Sequence, residues 1–160
     1  MHSRIFQLSE TPIAKDEYVS EYEYHDHWFS REIADYVDGD TDRIEDIDLL
    51  KSCVCGIEFG CDEDGEFLIV KSREQYFAKS FKAFVNYLEA VTRQCNINNF
   101  TDGIREMWNL NDVYDNKFGF YVDFTKVTDR YNDLVSFDNF VRTSKDGDKY
   151  YIGATIDYHC

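Results

Sequence analysis

Proline is almost missing from this chain, which has one, Pro12, in 160 residues. No proline-rich, Gly/Ser-rich or repeated stretch is present to serve as a linker, so residues 1–160 read as one domain. Long apolar runs are missing too. The longest, Phe67–Val70, falls far short of the ~18–20 residues that a membrane span needs. The amino terminus, MHSRIFQLSETPI, has no charged stretch leading into an apolar one, so no secretory signal is expected. Cysteines are few and odd in number, at 53, 55, 61, 95 and 160. That count argues against a disulfide framework and for a reducing, cytoplasmic setting. Basic residues are the scarcest class relative to need, 17 Lys+Arg against 32 Asp+Glu, for a net charge of -15. Such a chain is repelled by nucleic acid and by anionic membrane surfaces, which excludes both as direct partners.

What the chain does have is enough apolar mass to fold. Leu, Ile, Val and Phe number 42, above the ~20% level below which high net charge predicts disorder. Arg4–Leu8 is a short strand candidate, and Asp26–Val37 reads as a helix. Thr41 caps a helix beginning at Asp42, with Ile44, Ile47 and Leu50 inward and Asp42, Glu45 and Asp46 on the opposite face. Two strands follow. One alternates through Cys53, Cys55, Ile57 and Phe59, the other is Glu66–Lys71, and Asp64-Gly65 supplies the hairpin turn.

Ser72 and Gln75 form a capping box, and Phe77, Phe81, Phe84, Leu88, Val91 and Cys95 then recur every three or four residues. This is the clearest helical pattern in the sequence, and it predicts Phe81 and Phe84 in the core. Thr101 or Asp102 caps a further helix with Ile104, Met107 and Trp108. Phe118, Phe120, Val122 and Phe124 alternate as a half-buried strand. Residues 129–142 read as a helix with Tyr131, Leu134, Val135 and Phe140 inward. After a turn at 145–148, Ile152, Ala154, Ile156 and Tyr158 alternate as a last strand. Strands and helices mix without a regular βαβ repeat. The expectation is therefore α+β: a small mixed or antiparallel sheet of about five strands, packed against a long central helix and several shorter ones.

Several constellations hold side chains with metal-binding or catalytic chemistry. Asp38, Asp40 and Asp42 have calcium-loop spacing, but Arg43 stands where the loop needs Gly and Leu49 where it needs Glu. Asp62, Asp64 and Gly65 imitate the same loop and read as a hairpin turn. On a strand, His25 and His27 would share a face with Glu23 and could chelate a metal. Cys53, Cys55 and Cys61 could offer three thiolates to zinc, but the second ligand pair is missing. Buried core cysteines and surface histidines are the favoured readings. No Gly-x-Ser-x-Gly elbow or Gly-rich phosphate loop exists, so neither a catalytic residue nor a cofactor is assigned.

One constellation survives. Residues 1–50 hold 14 acids against 4 bases, and through this third the acids interleave with aromatics. The candidate partner-binding residues are Asp16, Glu17, Tyr18, Glu21, Tyr22, Glu23 and Tyr24, then Asp35, Asp38, Asp40, Asp42, Glu45 and Asp46. Aromatics supply contact area at interfaces, and a single-sign field steers a basic partner. In composition and size the chain resembles the DNA-mimicking antirestriction and anti-CRISPR proteins of phages and mobile elements. That resemblance implies a non-enzymatic inhibitor docking on a basic nucleic-acid-binding protein, a nuclease or effector. An immunity protein against a basic nuclease toxin needs the same acidic face. A small metal-binding enzyme using His25/His27 or the Cys53–Cys61 cluster is the third reading.

Overall fold

The computed structural model describes residues 2–101, 103–117, 119–124 and 134–160. Its elements, in chain order, are β1 (His2–Ser9), α1 (Phe29–Glu32), β2 (Tyr36–Asp38), α2 (Arg43–Cys53), β3 (Ile57–Asp62) and β4 (Gly65–Val70). Next come α3 (Arg73–Gln94), α4 (Arg105–Asp115), β5 (Tyr121–Asp123), β6 (Val135–Ser136), α5 (Phe137–Thr143) and β7 (Lys149–His159). Two 3-10 turns, Lys15–Glu17 and Glu21–Tyr24, lie between β1 and α1. The fold is α+β with one mixed sheet in the order β3-β4-β7-β1-β5-β6, and β2 also pairs with β7. The β1–β5 pair is parallel and the others are antiparallel.

The seven strands among the described residues exceed the expected five because two are very short. β2 takes Tyr36 and Val37 from the predicted helix at Asp26–Val37, which shrinks to α1. β6 takes Val135–Ser136 from the predicted helix at 129–142, leaving α5 to start at Phe137. Tyr131, Phe118 and Asp102 lie outside the described residues.

Both faces of the sheet are covered. On one face Phe6, Leu8, Val122, Tyr150 and Ile152 meet Ile47 and Leu50 of α2 and Phe137 and Phe140 of α5. On the other, Ile5, Tyr121, Ile156 and Tyr158 meet Val19, Tyr24 and Phe29 from the acidic N-terminal segment. Double coverage explains why β5 is buried at Tyr121, Val122 and Asp123 alike, where alternation predicted one wet face.

Strand β7 changes allegiance midway. Phe6 pairs with Thr155 but Leu8 pairs with Ile152, so Gly153 and Ala154 together oppose Gln7. This bulge reverses the parity of the strand. Tyr150 and Ile152 consequently enter one core while Ala154, Ile156 and Tyr158 enter the other, against the single face expected. Buried Gln7 holds the irregularity. Its Oε1 accepts from Ala154 N (3.1 Å) and Val19 N (3.2 Å), and its Nε2 donates to Glu17 O (2.9 Å). Residue 153 is glycine because a Cβ there would lie 2.5 Å from Gln7 Oε1.

The long helix forms from its Ser72 cap, whose Oγ accepts from Gln75 N at 3.2 Å. Its apolar stripe is not the core stripe predicted. Tyr76 and Phe77 pack against the main cluster, but Phe81 is 67% exposed and Phe84 is only partly covered. The remainder of α3 pairs with α4 as a helical hairpin. In α4, Ile104 occupies the cap position predicted for Thr101 or Asp102.

Replacing Gln7 with Ala leaves two buried N–H groups without an acceptor, and urea melts should show a loss of about 2–4 kcal/mol. Burial, reinforced for Tyr24 by Asp123, raises the phenols of Tyr24, Tyr76, Tyr121 and Tyr158, that of Tyr121 to about 12. A phenol held neutral contributes stability that is intact below its ordinary pKa of ~10 and lost as pH rises from there. Tyrosinate absorbance from these four rings should therefore rise only well above pH ~10, or with unfolding.

Candidate binding surface on the acidic edge

The sheet has a notch in one edge. β4 pairs with Lys149–Tyr151 of β7, and β2 pairs with Asp157–His159. Among the described residues, no strand therefore covers 152–156 on that side. Side chains from the β2–α2 connection fill in. Arg43 donates from Nε to Gly153 O and from Nη2 to Ile152 O, both at 2.6 Å, and its Nη1 pairs with Glu66 at 2.8 Å. Thr41 Oγ1 donates to Thr155 O at 3.1 Å. A cavity of about 320 Å³ remains beside these groups, with Tyr18, Glu21 and Arg43 in its wall.

Arg4 is likewise turned inward. Its Nε donates to Asp46 and its Nη1 to Asp157, and Asp157 also meets His2 Nδ1 at 2.7 Å. Of the four bases in residues 1–50, two are thus spent on the sheet. The acids around them face outward. Asp16, Glu17, Glu23, Asp35, Asp38, Asp40, Asp42 and Glu45 are exposed, and Glu21 is half-buried with its carboxylate against Gly39. They run from the 3-10 turns on one face of the sheet, past β2, to α2 on the other. Asp16, Glu21, Asp40 and Glu45 have no ion pair among the described residues.

Two predicted members of this face are not on it. Tyr24 is buried, and its hydroxyl donates to Asp123, because the turn at Glu21–Tyr24 rolls the ring into the second core. Asp46 is buried against Arg4, with Oδ2 left without a partner among the described residues. α2 turns Asp46, Ile47 and Leu50 inward together, which leaves Ile44, not Asp46, in solvent. Tyr22 is 70% exposed, while Tyr18 is half-buried with its ring 5.9 Å from the Arg43 guanidinium. The cap of α2 is Asp42, whose Oδ1 accepts from Ile44 N and Glu45 N, rather than Thr41.

The remaining candidates are placed as follows. His25 and His27 sit on turns rather than a strand, each edge-on to a tyrosine, Tyr22 and Tyr24 respectively. Cys53 ends α2 instead of opening a strand, and Gly56, at φ +71°, starts the turn into β3. Cys53, Cys55, Cys61 and Cys95 are exposed and Cys160 is half-buried, which overturns the core-cysteine expectation. No three metal-ligating side chains gather among the described residues. Asp62 accepts from Asp64 N and pairs with Lys149 at 2.7 Å, closing the β3–β4 hairpin. A cleft of about 510 Å³ lies between α2, α3 and α4, with Cys53, Cys55 and Lys79 in its wall. There Tyr76 and Asn116 both donate to Asp138, and among the described residues neither thiol has a base within hydrogen-bond distance. No helix among the described residues is long and apolar enough to cross a membrane.

Comparison with family models, curated proteins and solved structures returns no match.

Removing one partner of a buried ion pair leaves the other charged and dry. Arg4→Met should therefore cost about 3 kcal/mol or more in urea melts. The double variant Arg4→Met/Asp46→Leu should recover most of it, since Asp157 keeps His2.

Proposed function

We propose that this protein is a non-enzymatic acidic binding protein that docks its N-terminal edge on a basic, nucleic-acid-binding partner. The observation that carries this reading is the split fate of charge in residues 1–50. Arg4 and Arg43 point into the sheet while the acids around β2 point out of it. Surface acids whose neighbouring bases are engaged elsewhere keep their full field. Duplex DNA carries one charge per ~1.7 Å of axis, and its binding proteins answer with Lys and Arg. Carboxylates on a rigid edge present such a groove with a comparable field, as the DNA-mimicking inhibitors of phages and mobile elements do. The anchoring through Gln7, Thr41 and Arg43 supports the reading further, because a fixed array loses less entropy on docking than a flexible acidic tail.

The test uses immobilised protein and the DNA-binding fraction of a cell lysate at ~0.15 M salt, where the Debye length is ~8 Å. A retained basic protein should be released by excess duplex DNA. The variant Asp35→Asn/Asp38→Asn/Asp40→Asn/Glu45→Gln should lose at least about tenfold in affinity while melting like the parent. Undiminished binding by that variant would remove the edge from the interface.

A further inference from the structure

Large apolar side chains left in water are concentrated in one region. Among the described residues twelve are exposed, and seven of these lie between Phe81 and Tyr114, on the α3–α4 hairpin and its connecting loop. The sequence pattern of α3 explains part of this. Steps of four and three through Phe77, Phe81, Phe84, Leu88, Val91 and Cys95 make the two-column seam of a helical bundle. Phe77, Phe84 and Val91 form one column, and all three are partly covered. Phe77 packs against the main core and the Phe84 ring lies 6.5 Å from that of Tyr114. Phe81, Leu88 and Cys95 form the other column, and all three are exposed. α4 repeats the division. Glu106, Leu110 and Val113 are partly covered while Met107, Trp108 and Tyr114 stand open. Two helices close half of a seam that needs more.

Charge indicates what closes it. Residues 73–115 carry six acids and five bases, a net of -1, so the other residues hold -14 of the total -15. Residues 1–72 alone hold -13 of that, so pairing through the part of the molecule they form brings like charge together. The hairpin does not. We infer that two copies pair hairpin to hairpin about a two-fold axis, completing a four-helix bundle from the open column of α3 and the open side of α4. Exposed area is sufficient. Aromatic and large aliphatic side chains present roughly 200 Å² each, so the seven, at their fractional exposures, offer roughly 900 Å². A stable interface takes ~800 Å² from each partner. Pairing here leaves the acidic edge around β2 outside the interface, so this inference stands independently of the function proposed above.

Sedimentation equilibrium of the full chain at ~0.15 M salt reads the result directly. The wild-type mass should approach twice the 19.0 kDa of one chain at concentrations up to about 100 µM. Leu88→Glu and Trp108→Glu each place a carboxylate in the seam opposite its own symmetry mate. Both should weaken the dimer about tenfold or more. Because both side chains are exposed in the single chain, the variants should keep the parental far-ultraviolet spectrum as monomers. Ile44→Glu, at an exposed apolar site on α2, should leave the dimer intact. A wild-type protein that stays monomeric throughout would overturn the proposal, as would a dimer untouched by both seam variants.

Discussion

The bulge in β7 is the constraint on which the rest of the molecule depends. A strand with regular alternation gives its apolar residues to one face, and this strand must close two cores. Placing Gly153 and Ala154 against the single residue Gln7 reverses the parity. Tyr150 and Ile152 then seal the core under α2 and α5, and Ala154, Ile156 and Tyr158 seal the core under the N-terminal segment. Gln7 satisfies the amide that the bulge frees and ties Glu17 and Val19 to the sheet through the same side chain. One buried amide thereby fixes both the strand and the segment that carries the acids.

The charge distribution follows from that scaffold. A notch between β4 and β2 leaves β7 carbonyls in need of donors, and the nearest donors are Arg43 and Thr41. Arg4 is drawn to Asp46 and Asp157 by the same geometry. Two of the four bases in residues 1–50 are thereby held in the sheet, and the surface around β2 keeps its anions. The hairpin of α3 and α4 is the opposite in character, nearly neutral and apolar. One chain thus presents two surfaces of different chemistry, the first proposed to meet a basic partner and the second inferred to meet its own copy.

Patterns generated by local periodicity were readable from the sequence, and patterns generated by tertiary contact were not. The α+β class, the Asp64-Gly65 hairpin, the Ser72 cap and the full length of α3 follow from residues close together in the chain. The same periodicity misassigned Phe81 to the core, because a bundle seam reads identically whether its partner is inside the chain or not. Tyr24 and Asp46 were counted on the acidic face, since an acid-rich neighbourhood hides the one member that pairs inward. Arg4 and Gln7 were a usable clue: two polar residues inside the apolar run RIFQL require buried partners. Arg43 gave no such signal, because the notch it fills exists only once β2 and β4 have both paired with β7.

Segregation of charge between the edge and the hairpin is the central claim, and the surface potential at each backbone amide tests it without a partner. Paramagnetic relaxation of the labelled protein by a cationic nitroxide, divided by that from a neutral one, reports the potential residue by residue. The ratio should be highest at residues 16–23 and 35–45 and near unity across 81–115. An even ratio over the whole surface, or a maximum on the hairpin, would contradict the account.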